Sequence, residues 1–294
     1  MLNLTCQLDG SKIYDPNHKE GAGSLIQFLV SAYLISQKFN IPFYYTPIVN
    51  IGHRETFGES QEDWDKTWNT YISSCLIQTP STQPQEFDVH ITVHISKLEQ
   101  CVLELSKNER RILINLEWRD LKQYLDKNFG ELLNLDIQDR LRQTYRKNKD
   151  LPKTYFDITK KNIAFHIRNF SKTDCDPNPC RELYKPDSQM AKYFSQMIKD
   201  FISNESDSIQ IHIYAQGPKE DFQELVNLNP SIVQLHIDEH PIVTLHHLIM
   251  ANVLVMSKSS FSLIANYYTQ AKCILRKGFW HQVKYDTMII DCDK

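Results

Sequence analysis

An apolar run, Ile163, Ala164, Phe165 and Ile167, is interrupted by His166 and closed by Arg168. A guanidinium where a strand leaves its sheet costs little in water, and it does chemistry if an anion sits above it. It can grip a diphosphate through two parallel hydrogen bonds, which lysine cannot do. It could equally pair with Asp174 or Asp176 further along the same segment. A second signal is the stretch Met256 to Ser262, in which Ser259 and Ser260 stand where a helix should begin. Serine is a good helix cap. The unpaired N–H groups and dipole of a helix start also favour an anion, with Phe261 placed to pack under a sugar or base, or simply to fill the core. A third group, His236, Asp238, Glu239 and His240, stands at the end of the predicted strand Ile232–Ile237. A carboxylate such as Asp238 accepts the two N–H donors on guanine's edge.

Proton transfer and metal binding have weaker candidates. His53 has a side chain suited to proton transfer near neutrality, with Glu55 beside it. Asp174-Cys175-Asp176 and Asp291-Cys292-Asp293 have the aspartate-x-aspartate form of a metal-diphosphate motif. The first follows Arg168, which can neutralise a diphosphate without metal, and the second lies near the C-terminus, so no metal is expected. Gly21 and Gly23 precede a predicted helix, with Ser24 a possible cap.

These residues need elements to hold them. Leu25, Ile26, Leu29, Ala32, Tyr33 and Ser36 recur as one face of a helix, and Ile41–Thr46 reads as a strand ended by Pro47. Strands are predicted at Val89–Ile95 and Arg111–Leu116, and helices at about Glu62–Ser73, Arg119–Asn128 and Ile137–Lys147. The lysine-rich stretch 147–161 reads as a connection. Beyond it strands at 163–167, 209–214, 232–237, 253–256 and 273–275 alternate with helices at 188–202, 219–226, 243–250 and 259–269. Nearly all-apolar strands alternating with helices predict a parallel sheet covered on both faces. In such sheets ligands lie beyond the carboxyl ends of the strands, where Arg168, Asp238 and Ser259 all fall.

Composition bounds the rest. With 294 residues and 41% hydrophobic content, the chain suits two compact α/β lobes. A net charge of -3 and a pI of about 6.4 give no basic footprint for nucleic acid. No apolar run is long enough for a membrane span. The start of the chain has neither the basic nor the apolar part of a signal peptide, so a cytoplasmic location is expected. Seven scattered cysteines without a C-x-x-C pair read as thiols rather than as a disulfide framework or a zinc site.

The His166-Ile167-Arg168 strand end, followed by the late segment from Leu245 through Ser259, Ser260 and Phe261, resembles the donor-binding half of GDP-fucose-dependent fucosyltransferases. The group meant is the α1,2-, core α1,6- and protein O-fucosyltransferases. The segment from Glu20 to Pro47 is similar to their glycine-rich first loop and helix. The resemblance implies a GT-B-like α/β fold: two Rossmann-like lobes with mainly parallel sheets and a cleft between them. Residues 1–155 would be the acceptor side and 156–294 the nucleotide-sugar side. It implies an inverting, metal-independent transfer of fucose from GDP-fucose to a glycan or protein hydroxyl. Arg168 would hold the pyrophosphate. Ser259, Ser260 and Phe261 would line phosphate and sugar, and His166 and Asp238 would hold ribose or guanine. Gly21, Gly23 and Ser24 would let the first lobe approach the sugar, and Asp174, Asp176 or His53 would serve as base. The family's second arginine and aspartate are absent from Arg168-Asn169-Phe170-Ser171, and Asn252 stands where an aspartate is usual. Two alternatives remain: a transferase using another GDP- or UDP-sugar, and a non-catalytic nucleotide- or carbohydrate-binding protein on such a scaffold.

Overall fold

The computed structural model describes residues 2–11, 20–77, 87–107, 109–169, 184–186, 188–205, 208–279, 281–284 and 286–291. The chain divides into two compact units, Met1–Asp150 and Leu151–Lys294. Both are α/β, and every strand pairing in either sheet is parallel.

The first unit holds a three-stranded sheet of order β1-β3-β2, made of β1 (Leu2–Thr5), β2 (Val89–Val93) and β3 (Ile112–Leu116). Helix α1 (Ala22–Lys38) buries residues on all sides, including Leu25, Phe28, Val30, Leu34 and Ile35. It is therefore a core helix rather than the one-faced surface helix its apolar stripe suggests. Helix α2 (Gln61–Tyr71) is capped by Ser60, whose side chain accepts from the Asp63 N–H, and it buries Trp64, Trp68 and Tyr71 on one stripe. The chain continues through α3 (Leu98–Leu105), α4 (Leu121–Lys127), α5 (Phe129–Leu132) and α6 (Leu135–Lys147). The Tyr145 hydroxyl of α6 meets that of Tyr71 at 2.7 Å. The strand expected at Ile41–Thr46 does not form. Phe43 makes only an isolated bridge to Leu4, because Pro42 and Pro47 have no N–H with which to extend a ladder.

Among its described residues the second unit forms six strands: β4 (Lys161–Ile167), β5 (Ile209–Ala215), β6 (Val233–Ile237), β7 (Val253–Met256), β8 (Lys272–Arg276) and β9 (Met288–Ile290). Their spatial order is β6-β5-β4-β7-β8-β9. Counted within this unit it is 3-2-1-4-5-6, the doubly wound order of dinucleotide-binding folds. Helices α7 (Gln189–Glu205), α8 (Gln223–Asn227), α9 (Pro241–Met250) and α10 (Ser260–Tyr268) lie between the strands in sequence. Alternation along the strands separates two faces. One face sends Ile163, Phe165, Ile167, Ile211 and Ile213 into an apolar layer with Phe194 and Ile198 of α7.

The other face is unusual in composition. Tyr214 lies in register with His166 and His236, and His212 shares their side of β5. Tyr155 stacks on His247 of α9 at 3.8 Å and on His236 at 4.8 Å between ring centroids. A hydrogen-bonded line runs from Asn162 Oδ1 to His212 Nε2 (3.2 Å), from His212 Nδ1 to His236 Nε2 (3.1 Å), and from His236 Nδ1 to the Tyr155 hydroxyl (3.2 Å). That hydroxyl also contacts Glu239 Oε2 at 3.0 Å. Burial depresses His212 to about 3 and His236 to about 4, so these rings are neutral at pH 7. No helix among the described residues is long and apolar enough to cross a membrane. Cys6, Cys75, Cys101 and Cys273 are free thiols, while Cys175, Cys180 and Cys292 lie outside the described residues.

Candidate functional site

Strands β4 and β7 are neighbours, yet the chain winds away from them in opposite directions, towards β5 and towards β8. At such a switch point the connections after the two strands diverge and leave a crevice at the carboxyl edge. His166 is 8% exposed, and its Nδ1 lies 2.9 Å from the Ser257 hydroxyl, which joins the end of β4 to the turn after β7. The turn is braced from within. Ser262 Oγ donates to Ser257 O (2.9 Å) and Ser259 O (3.2 Å), and Ser259 Oγ caps α10 by accepting the Phe261 N–H at 3.2 Å. Ser260 is the first residue of α10 and half-buried. The Phe261 ring lies 5.4 Å from that of His166. Burial, and then the nearby Arg168 guanidinium, hold His166 down to about 3. A neutral imidazole so enclosed braces the turn, and its face is largely covered.

Arg168 follows β4 and is half-buried. Its Nη1 donates to Gln216 Oε1 at 3.0 Å, so a residue beyond β5 orients the guanidinium. Asp238 follows β6 in a left-handed backbone conformation with φ of 50°. It is solvent-exposed, and its Oδ1 accepts from the Gly217 N–H at 3.4 Å. Gly217 has φ of 109°, and a Cβ there would approach Asn169 Nδ2 to 3.0 Å. The ends of β4, β5 and β6 are thus drawn together through Asn169, Gly217 and Asp238. Asp174 and Asp176 lie outside the described residues, as do Cys292 and Asp293 of the second aspartate-x-aspartate stretch. Asp291 meets Lys277 Nζ at 2.8 Å. Among the described residues no three His, Cys, Asp or Glu side chains come together to hold a metal ion.

The first unit has its own polar cluster at the start of α1. The cap is Gly21, with extended φ of -72°, and not Ser24. The helix begins three residues earlier than a serine cap would place it, because the small Gly21, Ala22 and Gly23 fit the crowded first turn. His53 packs on Gly21 so closely that a Cβ there would lie 2.6 Å from the imidazole. Ser24 sits inside the first turn, and its Oγ accepts from Lys122 Nζ at 2.6 Å. Close by in sequence to Lys122, Asp120 at the start of α4 hydrogen-bonds His94 Nε2. His94 Nδ1 is 2.8 Å from Ser96 Oγ. Lys122 and the His94–Asp120 pair were not legible beforehand. The sequence predicts a helix over about Arg119–Asn128, but nothing in its period tells which side chain meets α1.

No family model matches the chain, and no curated protein matches it in sequence. Among solved structures the chain is similar to Escherichia coli heptosyltransferase WaaC with ADP-2-deoxy-2-fluoro heptose. The identity is 11% and the TM-score 0.43, covering 99% of this chain and 93% of that one. The same enzyme with ADP gives 11% identity and a TM-score of 0.41, covering 99% and 90%. A likeness of that strength carries no argument about this chain, and the functional reading rests on its own residues.

Proposed function

We propose that the chain is a glycosyltransferase that takes its sugar from a guanine nucleotide donor, GDP-fucose, and passes it to a glycan or protein hydroxyl. The observation that carries this reading is the switch point between β4 and β7. Arg168 ends one strand there, and the Ser257–Ser262 turn and the start of α10 follow the other. A guanidinium and a helix start on adjacent strands suit a leaving diphosphate, whose charge grows as the glycosidic bond breaks. Asp238 supplies a carboxylate for guanine at the end of β6. Ser259, Ser260 and Phe261 line the phosphate and sugar, and His166 holds the turn in place.

In this reading Arg168 makes metal unnecessary, and attack from the face opposite the diphosphate inverts the anomeric centre. The first unit serves the acceptor, and the base is drawn from His53, Asp174 and Asp176. Isothermal calorimetry tests the donor: GDP is expected to bind at least tenfold more tightly than UDP or ADP. Equal affinities would overturn the guanine assignment. The Arg168-Asn169-Phe170-Ser171 departure favours a second reading, a donor-binding protein without turnover. Release of GDP from GDP-fucose in the presence of EDTA supports the enzyme; binding without release supports the alternative.

A further inference from the structure

Within the first unit, the pair formed by Ser24 and Lys122 has a geometry that capping and packing do not require. Ser24 is the third residue of a 17-residue helix. Side chains on a helix lean towards its N-terminus, so the Ser24 hydroxyl lies beside the first-turn N–H groups. Those of Ala22 and Gly23 take no partner among the described residues, whereas the Ser24 and Leu25 N–H groups both return to Gly21 O. Lys122 Nζ reaches Ser24 Oγ at 2.6 Å and lies over the Phe28 ring, 4.1 Å from its centroid. Trp118 meets Phe28 edge-on at 5.7 Å. The amine therefore sits on an aromatic floor with its nitrogen against the Ser24 hydroxyl.

We propose that Ser24 is a nucleophile and Lys122 the base that takes its proton, forming an acyl-transfer site for carboxylic esters. The neutral Lys122 amine accepts the Ser24 proton as Oγ attacks the ester carbonyl carbon. The carbonyl oxygen becomes an oxyanion facing the Ala22 and Gly23 N–H groups. The ester C–O bond breaks, and the departing alcohol takes the proton back from Lys122. Water then attacks the acyl-serine by the same route, and a carboxylic acid is released. Serine is weak at its ordinary pKa and needs an adjacent base, and a desolvated lysine is one of the side chains that can serve. Burial lowers Lys122 to about 8, and the charges that face it, Glu20 before α1 and Asp126 on its own helix, oppose that fall. This site lies wholly in the first unit and does not depend on the nucleotide reading.

The test is labelling of the full chain with a fluorophosphonate probe, followed by peptide mass spectrometry. Oγ displaces fluoride from phosphorus just as it would displace an alcohol from an ester. One adduct per chain is expected, on Ser24, with a rate that rises about tenfold per pH unit from pH 6 and levels near pH 8. Lys122→Met should slow labelling at least tenfold, and Lys122→Arg should do the same, since a guanidinium stays protonated. Thermal unfolding of each variant checks its fold. Failure to label Ser24 above other serines would overturn the proposal. So would a flat pH profile in the parent protein, or a folded Lys122 variant labelling at the parental rate.

Discussion

Lysine in place of Arg168 would keep a cation at the end of β4 and lose the planar fork that meets Gln216 at 3.0 Å. Hydrogen bonds to charged groups are worth about 1.5–3 kcal/mol, and neutral ones about 0.5–1.5. Arg168→Lys should therefore weaken GDP binding by tenfold or more, while Ser259→Ala should weaken it severalfold at most. Ser259→Ala should also cost about 1 kcal/mol of stability through the lost α10 cap. Calorimetry on both folded variants compares them, and equal affinities for Arg168→Lys and the parent would make Arg168 a surface residue. At this scale Arg168, Asp238 and Ser259 could be found in the sequence because each ends or begins an element, a position that local pattern reveals. Lys122 and His94 could not. Their partners, Ser24 and Asp120, are distant in sequence, and a single long-range hydrogen bond leaves no period to read.

Among the elements, β4 and β7 matter most, because Ser257 and His166 tie them at the crevice. Ser257→Ala would leave the buried His166 Nδ1 without that partner, and an unsatisfied buried polar atom costs about 1–3 kcal/mol. Chemical denaturation should show a loss in that range, and Ser257→Thr, which keeps the hydroxyl, should recover part of it. A loss below 0.5 kcal/mol in the alanine variant, by that same order-of-magnitude scale, would mean that the turn holds by its other bonds. The long strands and helices of the second unit were legible because their apolar runs are bounded by polar turns. The short β1 and β9 were not: β1 mixes polar Asn3 and Thr5 into four residues, unlike the equally short but wholly apolar β7, and β9 has only three. The 41–46 segment misled for another reason. Its side chains alternate like a strand, but its prolines cannot donate to a ladder.

At the scale of the whole molecule, buried neutral histidines make stability depend on pH. His166 and His212 are held at about 3, and His246 at about 4, chiefly by burial. In the unfolded chain each titrates near 6.5. Between those values the unfolded state binds more protons, so stability is complete above about pH 6.5 and falls as the pH is lowered towards 4. Each histidine contributes about 1.4 kcal/mol per pH unit well below 6.5. Urea midpoints at pH 7 and pH 5 should differ sharply, and His212→Asn should flatten the slope. A midpoint unchanged down to pH 5 would show that water reaches these rings.

The winding order also bears on how the chain is made. The β4–β7 contact spans 91 positions between His166 and Ser257, so a growing chain completes β4, β5 and β6 well before β7 leaves the ribosome. Until then the central strand of the finished sheet is an outer one, with its Ile163–Phe165 N–H and C=O groups unsheltered along the side that β7 will occupy. Domains assemble as they emerge, and a bare, apolar, parallel edge is a template for another chain. A ribosome stalled after α9 would thus release a sticky half-sheet. A chain ended at Met250 should scatter light at concentrations where the full chain stays clear.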